Sequence, residues 1–245
     1  MKTVILTVLM ILISAGLWSE TADEILRRID DNLYSDSQII SSRMVIEGRR
    51  GSREIATRTW SHGSSDSFTE YLSPPREAGT KMLKLGDKLW IYDKNSDRTI
   101  QMSGHLLRQS VNGSDLSYED FMEENIYQDR YTAVIEGEET LLDRTCWVLK
   151  LIAKEAGTTY YQRKLWVAKD IYMPLKEELY GESGTLLKRV EFSDIRKVKD
   201  RWYPYEIFYK DILNTKGKGT TLKIDSIDLD AEIPECVFSK ASLRK

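Results

Sequence analysis

The sequence is short of the residues that do chemistry. It has two histidines, His62 and His105, and two cysteines, Cys146 and Cys236, among 245 residues. Neither histidine has a second histidine or a cysteine at metal-ligand spacing, so no zinc site is expected. Two cysteines allow at most one disulfide, and sequence alone does not bring their Cα atoms within bridging reach. There is no Gly-x-Ser-x-Gly elbow, phosphate loop or dinucleotide fingerprint. Neither sign of charge dominates: 36 Lys and Arg against 39 Asp and Glu give a net charge of −3, with the two signs interleaved. That pattern excludes the basic patch of a nucleic-acid binder and gives no electrostatic pull toward an anionic membrane. No Pro/Ser-rich linker divides the chain, so a single domain is expected.

Two motifs fall short on inspection. Asp93, Asn95 and Asp97 begin like a calcium loop. Arg98 then stands where that loop needs glycine, and Gly104 stands where it needs glutamate. A hairpin turn is the expected reading. The acidic cluster Asp115, Glu119, Asp120, Glu123 and Glu124 could be paired catalytic carboxylates, but nothing in the sequence makes them converge. A solvated helix face is expected instead. No metal, cofactor or enzymatic activity is therefore expected.

What is present begins at the N-terminus. Lys2 precedes an apolar run from Val4 to Ile13, broken only by Thr7, then Ser-Ala-Gly and a polar stretch. Positive, apolar and small-residue segments in that order read as a secretory signal peptide. The run is shorter than the ~20 residues a membrane helix needs. Residues 1–19 are expected to be the signal peptide, cleaved between Gly16 and Ala22, and residues 20–245 the exported domain. No cysteine lies near the cleavage region to carry a lipid.

The rest reads as one helix followed by strands. Thr21 and Glu24 have capping-box spacing, and Ile25, Leu26, Ile29 and Leu33 recur at helical intervals. From Gln38 the period changes to two. Segments such as "RMVIEG", "EIATRTWS", "SFTEYLS", "TKMLKL" and "KLWIYD" are separated by Gly, Asp, Asn or Pro turns, as are "TCWVLKLIA", "RWYPYEIFYK" and "TLKIDSIDL" nearer the C-terminus. Gly86-Asp87 marks a two-residue hairpin. About ten antiparallel strands are expected, enough for a sheet to curl. Residues 104–125 break the pattern: Leu106, Leu107, Phe121 and Met122 suggest short helical pieces, and Ser117 with Asp120 forms a cap pattern.

The strand period sorts the apolar residues. Met44 and Ile46 share one face of their strand. Leu83, Leu85, Leu89, Ile91, Leu149, Leu165, Val167, Tyr205 and Ile207 are expected on one concave side, alternating with a mixed side that carries Lys, Glu and Trp. That is the pattern of a sheet covered on one face only.

With these pieces in place the chain resembles the bacterial outer-membrane lipoprotein-sorting proteins, the LolA-like group. The resemblance rests on "SPPREAGTKMLKLGDKLWIYDKNSDRTIQMS", "NGSDLSYEDF", "YYQRKLWVAKDIYMPLKEELYGESGTLLKRVEF" and "IDSIDLDAEIPECVFS", and it covers nearly all of the mature chain. It implies a mainly β fold, a half-open antiparallel β-barrel with short helices as a lid. It also implies a periplasmic carrier that shelters acyl chains of lipoproteins or other lipids for transfer toward the outer membrane. The concave residues above would then bind lipid. Ile25, Leu26, Ile29 and Leu33 would form one part of the lid, and Leu106, Leu107, Phe121 and Met122 the other. A lipid or lipoprotein cargo and an inner-membrane transporter or exporter are the implied partners, and a monomer is expected. The alternative on the same barrel is a periplasmic lipid-sensing or exporter-associated regulatory module.

Overall fold

A computed structural model describes residues 20–49, 51–123, 126–215 and 217–244. The expected signal peptide lies outside these residues. Helix α1 (Ala22–Leu33) starts where the sequence predicts, and its capping box is complete. The Thr21 hydroxyl accepts from the Glu24 backbone N–H at 3.2 Å, and the Glu24 carboxylate accepts from the Thr21 N–H at 3.0 Å. Ile25, Leu26 and Ile29 are wholly buried, each worth about 1.5–3 kcal/mol of apolar burial. Arg27 and Asp31 pair on the wet side at 3.0 Å.

The strands follow: β1 (Ser37–Gly48), β2 (Gly51–His62), β3 (Asp66–Ser73), β4 (Lys81–Leu85), β5 (Lys88–Asp93) and β6 (Arg98–Met102). Two short helices, α2 (Tyr118–Met122) and α3 (Tyr127–Arg130), come next. The chain then returns to strand through β7 (Tyr131–Leu141), β8 (Arg144–Ala153), β9 (Gln162–Ala168), β10 (Met173–Tyr180), β11 (Leu186–Val198), β12 (Arg201–Asp211) and β13 (Gly219–Leu229). All lie in one 13-stranded sheet of order β6-β5-β4-β3-β2-β1-β13-β12-β11-β10-β9-β8-β7. The pairings are antiparallel throughout. The expectation of about ten strands undercounts. The short β4 and β5 are the two strands that the sequence set on either side of Gly86-Asp87.

The sheet curls but does not close. Its two edges are β6 and β7, which are successive in the chain and are joined by the irregular segment that holds α2 and α3. This is the half-open antiparallel barrel that the resemblance implied. Among the described residues no helix is long and apolar enough to cross a membrane.

The convex face is drier than the alternation suggested. At one end Phe68, Leu83 and Trp90 are buried beneath Leu243, with Val237 and Phe238 alongside. At the other, Cys146, Val148, Trp166 and Ala168 are buried with Ile171, Met173 and Leu175. Trp166 donates its indole N–H to Glu139 at 2.7 Å and has Lys176 over its ring at 4.0 Å. The two cysteines are not bonded: Cys146 is buried in β8, and Cys236 is exposed in the C-terminal segment.

Candidate functional site

Strand register decides which residues meet on the concave side. Leu149 on β8 stands opposite Leu165 on β9, and Leu165 opposite Glu177 on β10. Ile207 on β12 stands opposite Leu222 on β13, which stands opposite Met44 on β1. Two lids cover the two ends of this face. Helix α1 lays Ile25, Leu26 and Ile29 on Trp147, Leu149, Leu151, Leu165 and Val167. The segment between β6 and β7 covers the other end. Leu106, Leu107, Phe121 and Met122 lie on Met82, Leu89 and Met102, while Val111 and Leu116 lie on Met44, Ile46, Ile55 and Tyr71. Ile25, Leu26, Ile29 and Leu33 thus pack at one end of the face, and Leu106, Leu107, Phe121 and Met122 at the other.

Between the lids lies a cavity of about 360 Å³, within the size range of small-molecule sites. Met44 and Ile207 line it, as do Leu33 and Phe121 from the lids. Leu89 and Ile91 face the same side but are covered by the lid segment, Ile46 lies beneath Val111 and Leu116, and Leu149, Leu165 and Val167 lie beneath α1. Two expectations need correction. Leu83 and Leu85 point to the convex side, against Trp90 and the C-terminal segment. The hairpin pairs Leu83 with Trp90 and Leu85 with Lys88, so Lys84, opposite Leu89, is the inward residue. Tyr205 does not line the cavity, and its ring lies 4.2 Å from the Arg196 guanidinium.

Reading the strands as apolar inside missed the polar belt of this cavity. Arg163 on β9 donates to Glu177 at 2.9 Å and to Glu123, just after α2, at 2.7 Å. Its guanidinium lies 4.8 Å from the Tyr131 ring and 5.6 Å from that of Tyr127. Burial works against the Arg163 charge, but Glu177, Tyr131 and Glu123 outweigh it and hold the arginine ionised. Burial pushes the Glu177 carboxyl up, against the pull of Arg163. Lys188 on β11 and the Tyr160 hydroxyl both donate to Asp120, whose carboxylate also caps α2 by accepting from the Ser117 N–H at 2.6 Å. Lys84 donates to the Ser64 and Met122 carbonyls at 3.0 and 3.2 Å. Three cations on three strands therefore fix one short stretch of lid, Asp120 to Glu123.

The acidic cluster is accordingly no solvated face. Asp120 and Glu123 point inward. Asp115 is buried, accepting from the Thr220 hydroxyl and the Asp211 N–H at 3.0 Å each. Glu124 lies outside the described residues. The missed signal was parity: Arg163 alternates in phase with Leu165 and Val167, and Lys188 with Val190 and Phe192.

The lids are tied to one another as well. Asp30 of α1 accepts from the Tyr127 and Gln128 N–H groups at 2.9 and 3.0 Å, capping α3. Burial raises its carboxyl to about 6 despite those bonds.

Comparison with known proteins places this architecture. A family model described as "Uncharacterized protein" matches residues 63–245. No curated protein matches the chain in sequence. The solved structures that match its fold include the following three. A domain from Vibrio parahaemolyticus named for outer membrane lipoprotein sorting is 22% identical, with a TM-score of 0.79 over 91% of this chain and 98% of its own. A DUF1329 family protein from Desulfovibrio piger is 22% identical, with a TM-score of 0.82 over 90% and 97%. A LolA superfamily protein from Nitrosomonas europaea is 22% identical, with a TM-score of 0.76 over 91% and 100%. At this identity the shared property is the fold, a LolA-like open β-barrel.

Proposed function

The chain belongs to the family whose model spans residues 63–245 and has the LolA-like open barrel, and from that premise we propose that it is a non-enzymatic carrier of lipid or lipoprotein in the periplasm. The observation that carries this reading is the cavity between two apolar lids. An acyl chain gains about 0.8 kcal/mol for each CH₂ taken out of water, so it crosses an aqueous compartment only inside such a shelter. Lids that rest on the concave face can exchange that contact for cargo, so that lid and cargo compete for one surface. Three of the four carboxylates lining the cavity are committed to cations, Asp120 to Lys188 and Glu123 and Glu177 to Arg163, and the fourth, Asp66, accepts from the Gly86 N–H at 3.1 Å. That favours binding over catalysis. The domain named for lipoprotein sorting supports the same class of cargo.

Native mass spectrometry of protein recovered from a periplasmic fraction tests the reading. A co-purifying lipid or acylated protein is expected, together with an N-terminus between residues 17 and 23. A ligand-free chain that also fails to bind a fluorescent fatty acid would overturn it.

A further inference from the structure

The cavity has two unlike walls. On β10 to β13, beyond Glu177, it is mostly apolar, formed by Leu179, Val190, Phe192, Ile207 and Leu222. On β1 to β3 the inward face carries a block of hydroxyls beside Ile40, Met44 and Tyr71. Register sets them in rows: Ser42 stands opposite Thr57, and Thr59 stands between Ile40 and Thr69. Ser61 stands between Gln38 and Ser67. The Ser42 and Thr57 hydroxyls are 3.1 Å apart, and those of Thr59 and Thr69 are 3.0 Å apart. All of these residues line the cavity.

Strand propensity does not account for this. Threonine suits a strand on either face, but β2 already carries polar Arg58 on its other side, so β2 is polar on both sides at its centre. Nor do the hydroxyls satisfy one another. Each can donate one hydrogen bond and accept two, so a pair joined by a single bond keeps one hydrogen and several lone pairs to offer. Gln38 adds a second, independent sign: its Oε1 is buried and has no hydrogen-bond partner among the described residues. A saturated chain laid on this wall would strip water from every one of these groups and return nothing.

We infer that the β1–β3 wall is a hydrogen-bonding subsite, and that the ligand is an amphipathic lipid bearing hydroxyl groups along its length rather than a plain acyl chain. Its apolar side lies on Phe192 and Ile207, and its hydroxyls meet Thr59, Thr69, Ser61 and Gln38. This rests on the carrier reading and narrows its cargo.

A matched pair of eighteen-carbon probes, stearic acid and 9,10-dihydroxystearic acid, tests it by calorimetric titration of the mature chain. The dihydroxy acid is expected to bind at least about tenfold more tightly. In Thr59→Val/Thr69→Val both members of one pair become apolar without change of shape, a replacement close to neutral for folding. This variant is expected to lose the preference while holding stearate as well as before. Gln38→Leu, which removes the side-chain amide with its unpartnered acceptor, is an independent variant and is expected to narrow the preference. Equal binding of both probes by the wild type overturns the inference and leaves the carrier reading standing. Binding of neither probe overturns both. A preference that survives in both variants shows that the hydroxyls are read elsewhere, which also overturns the assignment.

Discussion

Arg163 on β9 and Glu123 beside α2 are joined by a 2.7 Å ion pair, with the arginine side chain 9% exposed. Through it the lid is held to the barrel wall by a charge that has left water. Removing one partner of such a pair strands the other. Arg163→Met is expected to destabilise the fold by about 3–5 kcal/mol, because Glu177 and Glu123 lose their shared cation. Urea unfolding measures this. Glu123→Gln leaves Arg163 paired with Glu177 and is expected to act mainly on the lid. Hydrogen exchange should quicken over residues 104–122 and stay unchanged in β8 and β9. Unchanged exchange in the lid would show that the ion pair does not hold it.

Asp30 gives the fold a pH dependence of known sign. Its carboxyl is raised to about 6 by burial, from an unfolded value near 3.9. The folded state therefore favours the protonated form. Stability from this group is fully present below about pH 4 and is lost as pH rises through 6, by on the order of 2 kcal/mol after allowance for solvent screening. Asp30→Asn removes that titration. Its urea midpoint is expected to fall less than that of the wild type between pH 4 and 7, and parallel curves would refute the assignment.

Leu83 and Leu89 are both fully buried, but on opposite faces of one hairpin. Either change to alanine is expected to cost about 2–5 kcal/mol. The local consequences differ. Leu83→Ala should loosen the C-terminal segment that carries Phe238 and Leu243. Leu89→Ala should loosen the lid segment that carries Leu106 and Phe121. Exchange mapped on both variants separates the two, and the same pattern in both would contradict the register.

The cysteines offer a simple check of burial. Cys236 is exposed and Cys146 is wholly buried, with burial raising the Cys146 thiol above its ordinary value. A maleimide should label Cys236 at once in the folded protein and Cys146 only on unfolding, so that one label, then two, appear by mass.

This hairpin also marks how far the sequence could be read. Gly86-Asp87 correctly signalled a two-residue turn, and such a turn places Leu85 opposite Lys88 and Lys84 opposite Leu89. Leu85 and Leu89 therefore cannot share a face. Hydrophobicity suggested otherwise, because a lysine in a strand reads as an outward residue. Lys84 is nevertheless 4% exposed, its charge met by the carbonyls of Ser64 and Met122, both distant in sequence. The same holds for Arg163, Asp120 and Lys188: their parity was legible, but partners 14 to 68 residues away were not. Local signals fared better. The α1 capping box and the Ser117–Asp120 cap depend on neighbours within one turn.

One pairing in the sheet differs in kind from the rest. Every ladder but β1–β13 joins strands that are neighbours in sequence. Two meanders, β1 to β6 and β7 to β13, can thus form from local hairpins, and the barrel comes into being only when a seam between the two ends of the chain is zipped. The seam runs from Gln38 opposite Leu229 to Glu47 opposite Gly219, with a shift at Ser41 and Ser42. Closing it carries the largest loop entropy in the molecule and makes it the slow, long-range step of folding. It is also where an error would be most damaging: a slip of one residue in β1 would turn Met44 and Ile46 outward and bring Arg43 and Val45 into the cavity.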